Sequence, residues 1–98
     1  MEIVVKHGNE LTVALKGRLD TNTSPELEKC LKEEEITEDL VVFDFKELEY
    51  ISSAGLRVLL ATKKVLDSKG KKFEIHNIND VVKEVFNVTG FANILTIK

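Results

Sequence analysis

The chain has 98 residues, room for one hydrophobic core, and its 43% hydrophobic and 32% charged composition is that of an ordinary globular protein. Its formal net charge of −3, with lysines and acids interspersed and only six aromatics, excludes the basic stripe that a general nucleic-acid binder needs to neutralise phosphates. A single cysteine, Cys30, has no internal disulfide partner and no metal-ligand spacing around it, so neither a metal nor a cofactor is expected.

The first ten residues, "MEIVVKHGNE", lack the basic segment and apolar stretch of a signal peptide, and no apolar run is long enough to span a bilayer. The expectation is a soluble, cytoplasmic protein without membrane contact. "EIVVKH" and "ELTVALKG" are strand-like runs separated by "GN", which predicts a tight hairpin. In the second run Leu11, Val13 and Leu15 share one face. "TNTSPELEKCLKEEE" then marks a helix start, with Ser24 as the expected cap, Pro25 at the first helical position, and Glu26 and Glu28 at the positive dipole end. Leu27, Cys30 and Leu31 form its narrow apolar stripe, which predicts a small buried thiol at Cys30.

"LVVFDF", Leu40 to Phe45, is apolar on both faces apart from Asp44, the pattern of a central parallel strand covered on both sides and ending near that aspartate. A helix from Ser53 to Lys69 follows and stops at Gly70. Steps of about 100° gather Val58, Leu59, Ala61, Val65 and Leu66 into one arc, the expected core face, and leave Leu56 and Leu60 among charged residues on the other side. Those two leucines are read either as a small partner-docking patch or as positions covered by a loop. "KFEIHNI" is another strand, Asn79 caps a helix carrying Val81, Val82, Val85 and Phe86 that ends at Gly90, and "NILTIK" is a last short strand. The order β-β-α-β-α-β-α-β predicts one α/β domain, a small, mixed, mostly parallel sheet with packed helices.

The segment "ISSAGL", residues 51 to 56, stands at the start of the longest helix. One serine there serves as a cap, stabilising by about 1 kcal/mol. That leaves a second hydroxyl, and a glycine in a first helical turn, which is unfavourable by up to about 1 kcal/mol relative to alanine and points to a close approach by another backbone or a partner. A phosphate at this helix end would meet the positive pole of the macrodipole and free N–H groups, so a modified serine is the second reading of the pair. Asp20, closing the second strand, and Asp44 are candidates for the same rim of the sheet, where strand ends before helices gather and ligands or partners bind. Each also reads as a plain turn or strand-end residue.

Catalysis is not expected. No G-x-S-x-G elbow surrounds Ser53, no oxyanion-hole motif accompanies His76 as a conceivable base, and neither nucleotide-binding glycine motif occurs.

Taken in order, "GRLD" (17–20), "VVFDFKELEYISSAGL" (41–56) and "VKEVFNVTGFANIL" (82–95) resemble the STAS family along nearly the whole chain, and specifically its stand-alone bacterial members, the anti-sigma factor antagonists. The resemblance implies a STAS domain over residues 1–98 and a phosphorylation switch. The unmodified antagonist binds an anti-sigma factor that is also a serine kinase, which frees the sigma factor. The kinase phosphorylates the serine two residues before the motif glycine, and the antagonist lets go; a metal-dependent PP2C-type phosphatase restores it. Counting back from Gly55, the matching serine is Ser53, with Asp20, Asp44 and Leu56 at family positions around it. Ser52 stands where the family usually has aspartate, which makes it the other candidate for the phosphate. Arg57, one turn beyond Ser53, is placed to compensate the phosphate, and Leu60 joins the expected contact surface. The resemblance fits a monomer exchanging partners. The alternative is a STAS adaptor that binds constitutively, for example in a transporter complex, with both serines serving only the helix start.

Overall fold

The computed structural model describes residues 1–98 and contains β1 (Glu2–Lys6), β2 (Leu11–Leu19), α1 (Ser24–Glu33), β3 (Leu40–Ile51), α2 (Ser53–Ser68), β4 (Lys72–His76), α3 (Asp80–Thr89), a short 3-10 turn (Phe91–Asn93) and β5 (Thr96–Ile97). The expected element order and fold class are borne out. The strands lie in the sheet in chain order, β1 antiparallel to β2 and every later pair parallel. Three right-handed crossovers stepping the same way across a sheet place their helices on one face. On that face Leu11, Val13, Leu15, Val41, Phe43, Phe45 and Ile75 meet Leu27 of α1, Leu59 and Leu66 of α2, and Val82 and Phe86 of α3.

β3 departs from the sequence reading in two respects. Helices cover one face only, although Val42 on the other, flanked in the sheet by Thr12 and Glu74, is also buried at 4% exposure. The strand also runs on to Ile51, twelve residues in all. Two register shifts against β2 each add one residue to β3, so its buried positions go from a spacing of two (Val41, Phe43, Phe45) to a spacing of three (Leu48, Ile51). Asp44 is therefore mid-strand on the open face, paired with Ala14 and His76. Its Oδ1 accepts from the Lys46 N–H and from Asn77 Nδ2.

The helix ends follow their local chemistry. Asn79 Oδ1 accepts from the Val82 N–H and caps α3, while its Nδ2 donates to the Leu48 carbonyl and ties the cap to β3. Gly90, at φ 80°, closes the same helix in the left-handed conformation that disfavours a side chain. Ser24 is the first residue of α1 and not its cap; its hydroxyl donates back to the Asp20 carbonyl. Cys30 is half-buried, and α1 buries only Ser24 and Leu27, a looser fit than its apolar stripe predicts.

The turn between β1 and β2 is a four-residue loop, wider than the "GN" hairpin expected, and His7 and Gly8 in it are held by the neighbouring connection between α1 and β3. His7 Nδ1 lies 2.8 Å from Glu38 Oε2 and Nε2 faces Glu34 Oε1, while the Gly8 N–H donates to Glu38. A neutral imidazole has one donor, so two carboxylate partners favour the imidazolium. The hydrogen bonds with Glu34 first, then Glu38, push the His7 pKa above its ordinary value. The stabilisation this provides is full below the unfolded-state value of about 6.5 and fades as pH rises through the higher folded value. We expect Tm to fall on going from pH 6 to pH 9 by more in the wild type than in His7→Gln, as read by thermal denaturation at constant ionic strength.

Candidate functional site

β2 and β3 end together. Leu19 pairs with Ile51, and the Ser52 N–H donates to the Leu19 carbonyl at 2.9 Å. The two chains then leave the sheet in opposite ways, β2 into the turn that starts α1 and β3 directly into α2. Two helix N-termini and their unpaired N–H groups thus share one rim.

Asp20 organises the first of these exits. Its Oδ1 accepts from the N–H groups of Asn22 and Thr23 at 3.0 and 3.1 Å, and the Asp20 N–H donates to Thr23 Oγ1. The Thr23 N–H foremost, aided by Asn22, holds the Asp20 carboxyl below its ordinary range. Next to it, Arg18 lies over the Tyr50 ring at 4.4 Å and 3.9 Å from Asp20 Oδ2.

At the second exit the two serines divide the work. Ser52 is extended, at φ −99° and ψ 174°, and its Oγ accepts from the Gly55 N–H at 3.4 Å, so it is the N-cap. Ser53 is the first residue of α2 and exposed, its hydroxyl free of that cap. Ser52→Ala should cost about 0.5 kcal/mol, the low end for a cap because the bond is long, and lower Tm by roughly 2–4 °C in a domain of this size. Thermal melts of the two proteins read this directly.

Gly55 is where α2 meets the sheet most closely. A Cβ there would stand 2.7 Å from Leu19 Cγ and 2.9 Å from Ile51 Cγ1. The close approach, expected from a backbone or a partner, is thus made by core side chains of the protein itself. It also sets the helix rotation. With Gly55 inward, Val58, Leu59 and Leu66 are buried as expected and Leu56 is buried with them, while Val65 is 51% exposed and Ala61 is exposed, which corrects the core face expected from periodicity at those three positions. Leu56 is a core residue at 2% exposure and no part of a surface patch. Leu60 is half-buried, and Arg57 is exposed one turn from Ser53.

Asp44 does not join this rim. It precedes Ile51 by seven residues, a stretch that spans only five residues of β2 or about 17 Å, and points to the face away from the helices. His76 pairs with Asp44 in the sheet and with Glu74 through Nε2, so it is not brought to Ser53. The tie between the Asp20 turn and the Ser52 backbone was not legible in the sequence, because it depends on both β3 bulges bringing Ile51 level with Leu19.

A model of the STAS domain matches residues 1–98. The chain belongs to the STAS domain family. A Listeria monocytogenes anti-sigma-B factor antagonist is 25% identical over 99 residues, taking in 100% of this chain and 87% of that protein. A Staphylococcus aureus anti-sigma-B factor antagonist is 31% identical over 85 residues, or 85% of this chain and 78% of that protein. The unphosphorylated form of the anti-sigma factor antagonist SpoIIAA superposes on this STAS domain with a TM-score of 0.80 at 15% identity, over 99% of this chain and 88% of that one. SpoIIAA from Bacillus in its phosphorylated form gives a TM-score of 0.71 at 13% identity, over 99% and 91%. The fold is shared with both forms. No helix of this STAS protein is long and apolar enough to cross a membrane.

Proposed function

We propose that this STAS protein is an anti-sigma factor antagonist controlled by phosphorylation on Ser53. Unphosphorylated, it binds an anti-sigma factor that is also a serine kinase, and the sigma factor is released. The observation that carries the reading is the division between the serines: Ser52 is engaged as the cap of α2, and Ser53 is exposed beside it at the same rim as Asp20. The names of the relatives support the antagonist role.

The contact surface proposed is the rim itself: the Asp20 turn, Ser52, Ser53, Arg57 and Leu60. Gly55 and Leu56 serve it from inside, by fixing how α2 sits. In the switching step the γ-phosphoryl group of ATP passes to Ser53 Oγ. The Oγ–P bond forms as the bond from the γ-phosphorus to the β–γ bridging oxygen breaks, ADP leaves, and the hydroxyl proton goes to a base of the kinase. A PP2C-type phosphatase, using its own metal ions, hydrolyses the ester and restores the serine. This protein acts as a monomeric substrate and ligand of both enzymes.

The test is phosphosite mapping after incubation with ATP and the purified anti-sigma factor kinase of the same host. Phosphate is expected on Ser53, absent from Ser53→Ala and retained in Ser52→Ala. Phosphate on Ser52 would move the site by one residue. None on either serine, with the kinase active on another substrate, would leave a constitutively binding adaptor.

A further inference from the structure

A groove of about 610 Å³ runs between α1 and α2, starting at the rim that carries Ser53. From α2 it is lined at three- and four-residue spacing by Ala54, Val58, Ala61 and Val65, and from the α1 side by Leu31 and Ile36. These positions follow one stripe along α2, about 17 Å long at 1.5 Å per residue. The small side chains of the stripe leave an apolar channel where larger ones would have met α1.

The charges around the channel are unequal. Its acids are partly compensated within the chain: Glu28 pairs with Lys32 at 3.0 Å, and Glu34 shares the His7 imidazolium with Glu38. Its cations Arg57 and Lys69, one near each end, have no ion pair. A protein of net charge −3 thus presents a local positive surplus around an apolar channel.

We propose that this groove docks an amphipathic helix of the anti-sigma factor kinase, its apolar stripe seated on Ala61 and Val65 and its acidic flanks facing Arg57 and Lys69. Helix-in-groove docking needs an apolar stripe of this length and spacing, and the uncompensated cations select acidic flanks. The inference rests on the function proposed above, because the groove adjoins the serine that such a kinase must reach. It also gives Arg57 two states. Ser53 and Arg57 are four residues apart on α2 and therefore neighbours on its surface. A phosphate on Ser53 draws the guanidinium into a charge-assisted pair and withdraws one of the two docking cations.

The experiment titrates the purified host kinase against the wild type, Val65→Asp, Lys69→Glu, Arg57→Gln and, as a control on α3 that does not line the groove, Val88→Asp. Val65 and Val88 are 51% and 76% exposed, so both aspartates are compatible with folding, which circular dichroism confirms independently. Each of the first three variants is expected to weaken binding about tenfold, equivalent to about 1.4 kcal/mol, with Val88→Asp binding like the wild type. Phosphorylation of Ser53 should also reduce affinity by a smaller factor in Arg57→Gln than in the wild type.

Groove variants that bind like a wild type still sensitive to Ser53 phosphorylation would overturn the groove and leave the proposed function standing. A wild type that does not bind the kinase at all would overturn both. A dimer of the free protein that Val65→Asp dissociates, seen by sedimentation velocity, would assign the groove to a second copy and overturn the kinase as its occupant.

Discussion

Gly55→Ala should lower the melting temperature of the isolated protein by roughly 8–16 °C, the equivalent of about 2 kcal/mol in a domain of this size. The added methyl would meet Leu19 Cγ at 2.7 Å, Ile51 Cγ1 at 2.9 Å and Leu19 Cδ2 at 3.0 Å. Both of those side chains are 0% exposed and have core neighbours behind them, so relief requires either an off-rotamer leucine or an outward shift of α2. Overpacking of this kind costs up to about 3 kcal/mol or somewhat more. The gain in helix propensity offsets about 1 kcal/mol of it. Leu56→Ala is its companion: truncation of a side chain 2% exposed should cost about 2–5 kcal/mol. If Gly55→Ala melts like the wild type, α2 does not press on Leu19 and Ile51 as the structure has it; if Leu56→Ala does, Leu56 is not in the core. Because both effects act on the free protein, any loss of partner binding in these variants has to be separated from loss of fold.

The same glycine explains why the rotation of α2 was not legible in the sequence. Counting apolar residues around a helix spreads the core face over Val58, Leu59, Ala61, Val65 and Leu66, since valine and alanine count toward it and glycine does not. The actual contact is centred where α2 has no side chain, and this turns Val65 and Ala61 outward and Leu56 inward. The strands were read well where alternation was strict. Leu11, Val13 and Leu15 face the core as expected, and the caps at Asn79 and Gly90 stand where their residue types predict.

The second half of β3 was missed for a related reason. Two bulges convert period two to period three, and "KELEYI" keeps its charges on the solvent side of an edge-like extension, so it reads as a loop. That hidden extension separates Asp44 from Ser53. It also brings Ile51 level with Leu19, so that Ser52 hydrogen-bonds to the end of β2. The residue types of the site were therefore visible in the sequence, while its membership was decided by strand register, a long-range property.

Phosphorylation of Ser53 should weaken the complex with the anti-sigma factor kinase at least a hundredfold, or about 2.7 kcal/mol, without destabilising the free protein. The two halves of that expectation come from the same location. In the free protein the phosphate stands at the N-terminus of a sixteen-residue helix, where the macrodipole and unpaired N–H groups favour negative charge. It is exposed, so it displaces no core contact, and the Ser52 cap can persist beside it. In the complex, the same group brings about −1.5 to −2 charges into a surface from which water has been excluded. Facing like charge there costs several kcal/mol. No rearrangement of the fold is required, because the penalty is local. Ser53→Glu carries one charge and fewer acceptor oxygens, so it should fall between the unmodified and phosphorylated proteins in affinity. Ser52→Asp gives a further separation of roles: aspartate caps a helix as well as serine, so the variant should melt like the wild type and still be phosphorylated on Ser53. Affinities from calorimetry, with melts of each form, read both halves at once. A phosphorylated protein that binds as tightly as the unmodified one would remove the switch, and one that melts well below it would mean that release proceeds through loss of structure at the α2 N-terminus instead of through repulsion at the interface.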